Sequence, residues 1–354
     1  MGTREYCLVR IEAGGAVGWG ECWGPIAGNH AVVEETIAPL VEGRDPGNVE
    51  AIYADLRHAL RSAHHSYEPV GALSGVDIAL WDLKGRLLGE SVASLLGGRR
   101  RDAVSAYATG GFFPEADAVD DVREAVAAEM AGHVDAGFQA VKQKIGLSRH
   151  FDADRRDDVS LVRAVRDAVG PDVRLFVDAN HAYDLADARW VADRLADLDV
   201  GFFEEPLHPE RLDAYERLAA RSPVPLAAGE CWAFEPRFAE AADRGLIGYA
   251  QPDVTSAGGF TAARRTVEAA WARGVQPFPH VFGSAVALHA SLQLLAATPG
   301  DPMVEFDRTP NPIRDDLARD PIEPDGPAVS IPEEPGIGLE VDPDVLDAFR
   351  VDRP

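Results

Sequence analysis

Along the chain, the spacing of apolar positions changes character twice. Near the N-terminus two short runs, 6–12 and 16–22, flank a Gly14-Gly15 turn and predict a pair of strands. Helical stretches follow near 30–41, 47–61 and 69–96. In the last of these, Val76, Leu80, Leu83 and Leu87 recur every three to four residues and so share a face. The RRRD run at 99–102 reads as a solvated connector. From 103 onward the pattern settles into strand–helix alternation. Strands are predicted at 103–109, 140–146, 174–179, 201–205, 225–230, 249–254, 275–280 and 303–307. Helices are predicted between them at 117–136, 156–169, 184–197, 209–221, 235–244, 259–273 and 284–297. Several of these strands, such as Leu175-Phe176-Val177 and Val200-Gly201-Phe202-Phe203, are unbroken apolar runs, as strands covered on both faces of a parallel sheet are.

Eight strands with seven intervening helices predict an α/β barrel. A doubly wound nucleotide-binding sheet is the competitor, but no GxGxxG follows a strand. The tail from 308 is rich in proline and acid, is too long for a barrel helix, and is expected to return to the N-terminal strands and helices.

Composition narrows the function classes. Lys plus Arg total 34 and Asp plus Glu 59, a net charge of −25. Such a chain lacks the basic face that a nucleic-acid backbone or an anionic membrane requires. Only three lysines are present, Lys84, Lys142 and Lys144. Acid excess with so little lysine reads as a surface adapted to high salt. No apolar run reaches the ~20 residues of a membrane span. The start, MGTREYCLVR, has no charged segment leading into an apolar one, so no signal peptide is expected. Cys7, Cys22 and Cys231 form no CxxC pair and predict a reducing, cytoplasmic setting with neither a disulfide frame nor a zinc cage.

The chemistry collects where barrel active sites lie, at the C-terminal ends of strands. Successive strands end in Lys142-Gln143-Lys144, Asp178-Ala179-Asn180, Glu204-Glu205-Pro206, Gly229-Glu230, Pro252-Asp253 and His280, and the last carries Glu305. From Asp178 to Glu305 these ionisable residues recur every 23–27 residues, one βα unit apart. Asp178, Glu204 and Glu230 are three hard oxygen donors without His or Cys, a set suited to Mg²⁺. Glu205, next to Glu204, should point to the opposite face. Lys142 and Lys144, two apart on a strand, both face the barrel interior. Burial and the neighbouring cation are expected to depress the Lys144 pKa, as a general base needs. Asp253 can hold His280 in one tautomer, giving a second base. Glu305, if protonated, could donate a hydrogen bond to a substrate oxygen. Asn180, His181, Tyr107 and Trp232 are candidate substrate contacts, as are His64 and His65.

Taken together, the KxK pair, the DAN, EEP and GE strand ends, the Asp253/His280 dyad and Glu305 resemble the enolase superfamily, specifically its mandelate racemase subgroup, over essentially the whole chain. The resemblance implies a modified (β/α)₇β TIM-type barrel with an α+β N-terminal capping domain completed by the C-terminal segment. It implies a division into a capping domain at 1–102, a catalytic barrel at 103–307 and a returning segment at 308–354. It further implies one Mg²⁺ on Asp178, Glu204 and Glu230, with Lys144 as one base and His280, supported by Asp253, as base or acid on the opposite face. Lys142 and Glu305 would stabilise an enediolate. The stretches GALSGVDIALWDLKG (71–85), SAYATGG (105–111), EFDRTPNPIR (305–314) and PGIGLEV (335–341) resemble galactarolactone cycloisomerases, which open an aldaric acid lactone to a 3-deoxy-2-keto-hexarate. Acid-sugar dehydratases of the subgroup use the same residues. Homo-oligomers are usual in this family, and its members begin with a further strand and a lid loop, whereas here Tyr6–Glu12 already resembles the second capping strand. The expected ligand is a small sugar acid or its lactone. A racemase or epimerase, a metal-dependent hydrolase and a non-catalytic binding protein are the remoter alternatives.

Overall fold

The structure is a computed structural model that describes residues 4–64 and 68–351. His65 lies outside the described residues, and so does the side chain of His64. At the N-terminus, β1 (Cys7–Ala13) and β2 (Ala16–Cys22) form an antiparallel hairpin across Gly14-Gly15. Helix Val70–Leu88 packs on it, and helix Val49–His64 packs on that helix. Helix Val70–Leu88 is buried on nearly every face, because β2 covers one side and the barrel the other. It approaches β2 closely: a Cβ added at Gly20 would stand 1.8 Å from the Gly75 carbonyl oxygen, so only glycine fits.

The second layer is the predicted barrel. Its strands are β3 (Ala103–Thr109), β4 (Ala140–Lys144), β5 (Arg174–Asp178), β6 (Val200–Glu204), β7 (Leu226–Ala228), β8 (Tyr249–Ala250), β9 (Gln276–Pro277) and β10 (Met303–Asp307). Parallel pairing runs unbroken from β10 through β3 to β9. The alternation of each strand sorts its side chains. Val141, Val177 and Phe203 point outward into the core shared with the helices. Tyr107, Ala140, Phe176, Phe202, Ala227, Phe278 and Met303 fill the interior as a plug, in which the Phe176 and Phe202 rings stack at 4.1 Å. Lys142, Asp178 and Glu204 are the next inward positions after Ala140, Phe176 and Phe202, one pleat higher. The polar rim therefore sits on an aromatic floor.

The tail returns as expected but does two things. β11 (Pro324–Asp325) and β12 (Ala328–Ser330) pair with each other, and β12 adds antiparallel to β3, while 336–341 packs on the cap helix, where Ile337 N donates to Asp82 Oδ1 at 2.8 Å. Cap and barrel are joined by buried polar contacts. Thr261 N and Oγ1 donate to Asp77, Gly258 N donates to Ser74 Oγ, and Ser284 N and Oγ donate to Glu21. These contacts hold the loops after β8 and β9, which carry Asp253 and His280.

Candidate active site

Asp178 ends β5, Glu204 ends β6 and Glu230 lies two residues beyond β7. Their carboxylate oxygens come within 4.8 Å of one another. Burial and the neighbouring Asp178 charge push Glu204 well up. Burial, with Asp178 against it, also raises Glu230. Asp178 resists burial because Lys144 and Lys142 hold it down to about 2. Asn180 N donates to Asp178 Oδ1 at 2.8 Å, and Asn180 Nδ2 reaches Glu230 Oε1 at 3.4 Å. Asn180 thus braces the acids and also lines the cavity described below. Glu205 turns away from the triad, as expected, and meets His181 instead. Asn180, His181 and Glu205 all adopt positive φ (38°, 66° and 38°), backbone strain gathered at the ends of two adjacent strands.

Both lysines enter the site. Lys142, fully buried, donates to both oxygens of Glu204 at 2.8 Å and pairs with Glu305 at 2.8 Å. Lys144 Nζ donates to Asp178 Oδ2. The expected depression of Lys144 is not found. Burial does lower its pKa, but Asp178, then Glu230 and Glu204, raise it further than burial and Lys142 lower it. Lys142 lowers it as expected, but the carboxylates outweigh that cation and burial together.

His280 Nδ1 lies 2.7 Å from Asp253 Oδ2, and Asp253 is itself held by Thr255 N and Oγ1 at 2.7 and 2.6 Å. An ionised carboxylate only accepts, so the proton of this bond sits on Nδ1. His280 Nε2 lies 3.4 Å from Glu230 Oε2. Burial pulls the imidazole down, yet Glu230, Glu305 and Asp253 together push it up to about 10. The group read as a second base is therefore shifted toward its protonated form. Glu305 differs from expectation too. Burial alone would protonate it, but Lys142 and His280 hold it down to about 2. It accepts from Thr109 Oγ1 at 2.8 Å and Val281 N at 3.2 Å and has no proton to donate.

Three candidate contacts fall elsewhere. Tyr107 belongs to the aromatic floor, wedged among Phe176, Phe202 and Phe278 with no exposed face. Trp232 lies outside the barrel wall, packed on Tyr215 and Phe238 with its indole N–H on Pro209 O. His181 is occupied by Glu205. Other residues were missed. Gln251, the first residue past β8, donates to Glu204 Oε2 at 2.6 Å, and its place just before Pro252-Asp253 was a usable signal. A cavity of about 700 Å³ above Lys144 is lined by Arg4, Phe112, Arg149, His150, Asn180 and Phe282. Trp23 of the cap meets the His280 ring edge-on at 5.9 Å. These belong to loops and the cap, where strand-end spacing carries no information.

Residues 1–97 match the mandelate racemase/muconate lactonizing enzyme N-terminal domain, and 125–345 match the enolase C-terminal domain-like family. The chain belongs to the mandelate racemase/muconate lactonizing enzyme family of the enolase superfamily. It is 43% identical over 360 residues to D-galactarolactone cycloisomerase of Agrobacterium fabrum, covering 99% of this chain and 93% of that protein. Arabinonate dehydratase of Saccharolobus solfataricus is 30% identical, with 98% and 91% covered. The crystal structure of 3,6-anhydro-D-galactonate cycloisomerase from Zobellia galactanivorans superposes with a TM-score of 0.89 at 32% identity, covering 98% of this chain and 94% of that one. The family's fold accounts for the cap, the barrel and the returning tail, and this member is an enzyme of the isomerase or lyase class.

Proposed function

We propose that this enzyme removes the proton α to a sugar-acid carboxylate with Mg²⁺ and then eliminates a β-oxygen, its substrate being galactarolactone or a closely related aldarolactone. The observation that carries the reading is the opposition of two proton-transfer groups across the acid triad. Lys144 rests on Asp178 at one end, and His280 lies 3.4 Å from Glu230 at the other. The triad fits a hard divalent ion. All its donors are carboxylate oxygens, burial and mutual repulsion raise Glu204 and Glu230, and Glu230 Oε2 makes no hydrogen bond. Asp178, Glu204 and Glu230 would hold Mg²⁺, which would supply positive charge for a substrate carboxylate and its developing negative charge and would offset the carboxylates that keep Lys144 protonated.

Lys144 then takes the α-proton. The C–H electrons form the enediolate and, as they return, break the β-carbon–oxygen bond to the lactone carboxylate. The resulting enol tautomerises to the 2-keto acid, and the β-carbon gains a proton. His280, kept in one tautomer by Asp253, supplies protons from the opposite face. Lys142, locked between Glu204 and Glu305, stays charged and offsets negative charge developing at the rim. The product has the same molecular formula as the lactone. Arg4, paired with Asp307, and Arg149, donating to Asn180 O and His181 O, bring positive charge to the cavity wall, and about 700 Å³ suits a hexarate. The 43% identity to a galactarolactone cycloisomerase supports the same choice.

Acid-sugar dehydration is the second reading, favoured by the 30% identity to arabinonate dehydratase. The same residues would then expel a β-hydroxyl as water. Product mass separates the two, because ring opening conserves mass and dehydration loses one water. The reading also includes a cytoplasmic homo-oligomer. Among the described residues no helix is long and apolar enough to cross a membrane.

A further inference from the structure

Behind the triad, the same three loops bring a second group of donors together. His181, Glu205 and Cys231 follow Asp178, Glu204 and Glu230 by three, one and one residues, and their ligand atoms also lie within 4.8 Å of one another. Cys231 Sγ is 3.7 Å from His181 Nε2 and 3.9 Å from Glu205 Oε2. Glu205 is fully buried, and its Oε1 has no hydrogen-bond partner. Cys231 is exposed, so the group opens to solvent on its sulfur side. The His208 ring stands 6.0 Å from that of His181.

We propose that His181, Glu205 and Cys231 form a second cation site, selective for a thiophilic divalent metal such as Zn²⁺. A tetrahedral zinc with Zn–S of ~2.3 Å and Zn–N or Zn–O of ~2.0 Å has S···N and S···O edges of about 3.5 Å. The two sulfur separations already lie within a few tenths of that. An N···O edge is about 3.3 Å, so the His181–Glu205 hydrogen bond opens into a ligand edge. A fourth ligand would come from solvent, because Cys231 is exposed. An ordinary His–Glu pair would account for Glu205 Oε2, but not for the orphaned Oε1 or for a thiol at ligand distance from both partners. Ligand softness keeps the two sites apart: three carboxylates take the hard ion, and a mixed S, N, O set takes the softer one. One cysteine is too few for a thiolate cage read from sequence, and it is folding that brings His181 and Glu205 to it. The assignment is independent of the reaction proposed above.

Co²⁺, a coloured stand-in for Zn²⁺, tests it on the full-length protein in saturating Mg²⁺. A thiolate-to-cobalt charge-transfer band should rise to one equivalent per chain and be displaced by Zn²⁺. Cys231→Ser should abolish it, and His181→Ala should weaken cobalt binding at least ~tenfold. Asp178→Asn, which disables only the triad, should leave it. Carboxymethylation of the folded protein gives the thiol test without a substitution, because Cys231 is exposed while Cys7 and Cys22 are buried. No band, a band surviving in Cys231→Ser or after carboxymethylation, or a band lost in Asp178→Asn would each overturn the assignment.

Discussion

At the scale of single residues, the proposed reaction rests on Lys144 and His280, and their surroundings give them unequal tasks. Lys144 is a lysine in a chain with two others, placed where arginine, always charged, could not act as a base. Lys144→Ala should lower turnover by about a hundredfold or more, the usual worth of a positioned general base. His280→Asn should do the same, and the two losses should fall short of adding, since both serve one proton path. Steady-state kinetics on the active substrate measures both. Retention of full activity by both variants would sink the mechanism. The identities of these residues were readable from strand-end spacing. Their protonation was not, because it depends on distances between side chains of different strands. Glu305 shows this most plainly: it reads as an isolated acid at a strand end, yet Lys142 and His280 hold it ionised.

At the scale of elements, the glycine-mediated approach of helix Val70–Leu88 to β2 determines whether the cap seats correctly. Gly20→Ala would drive a methyl group to within 1.8 Å of the Gly75 carbonyl. It should cost about 1–3 kcal/mol or more, seen as a lower denaturation midpoint with activity falling alongside. The joint between cap and barrel also sets a pH dependence. Burial raises Glu21 and Asp77 to about 7. In the unfolded chain such carboxyls titrate near ~4, so the folded state holds these protons more tightly. Their contribution to stability is therefore fully present below about pH 4 and is lost as the pH rises through 7. Thermal melts across that window should show the loss, and Glu21→Gln should flatten its share. A midpoint equally pH-dependent in the variant would contradict this. Barrel strands were legible because each is a short apolar run ending in a charge. β8 and β9 shrink to two residues each because the chain leaves the sheet early to carry Asp253 and His280. The pairing of β12 with β3 was not legible, since three tail residues show no periodicity.

For the whole molecule, the charge of −25 and the scarcity of lysine carry the expectation of adaptation to salt. Raising KCl should raise the melting temperature steadily by screening carboxylate repulsion, and a midpoint that falls with salt would refute the halophilic reading. The fold as a whole follows from the sequence, because hydrophobic periodicity and the family's motifs agree over nearly all of the chain. The substrate is least legible, because the cavity lining of Arg4, Phe112, Arg149 and Phe282 comes together only after folding. One measurement reaches the central claim directly. Galactarolactone incubated with the enzyme and Mg²⁺ in D₂O is followed by mass spectrometry. The account predicts an opened 3-deoxy-2-keto-hexarate of unchanged composition, carrying one deuterium in place of hydrogen at the former β-carbon. A product short by one water, or a lactone that exchanges its α-proton without opening, would contradict it.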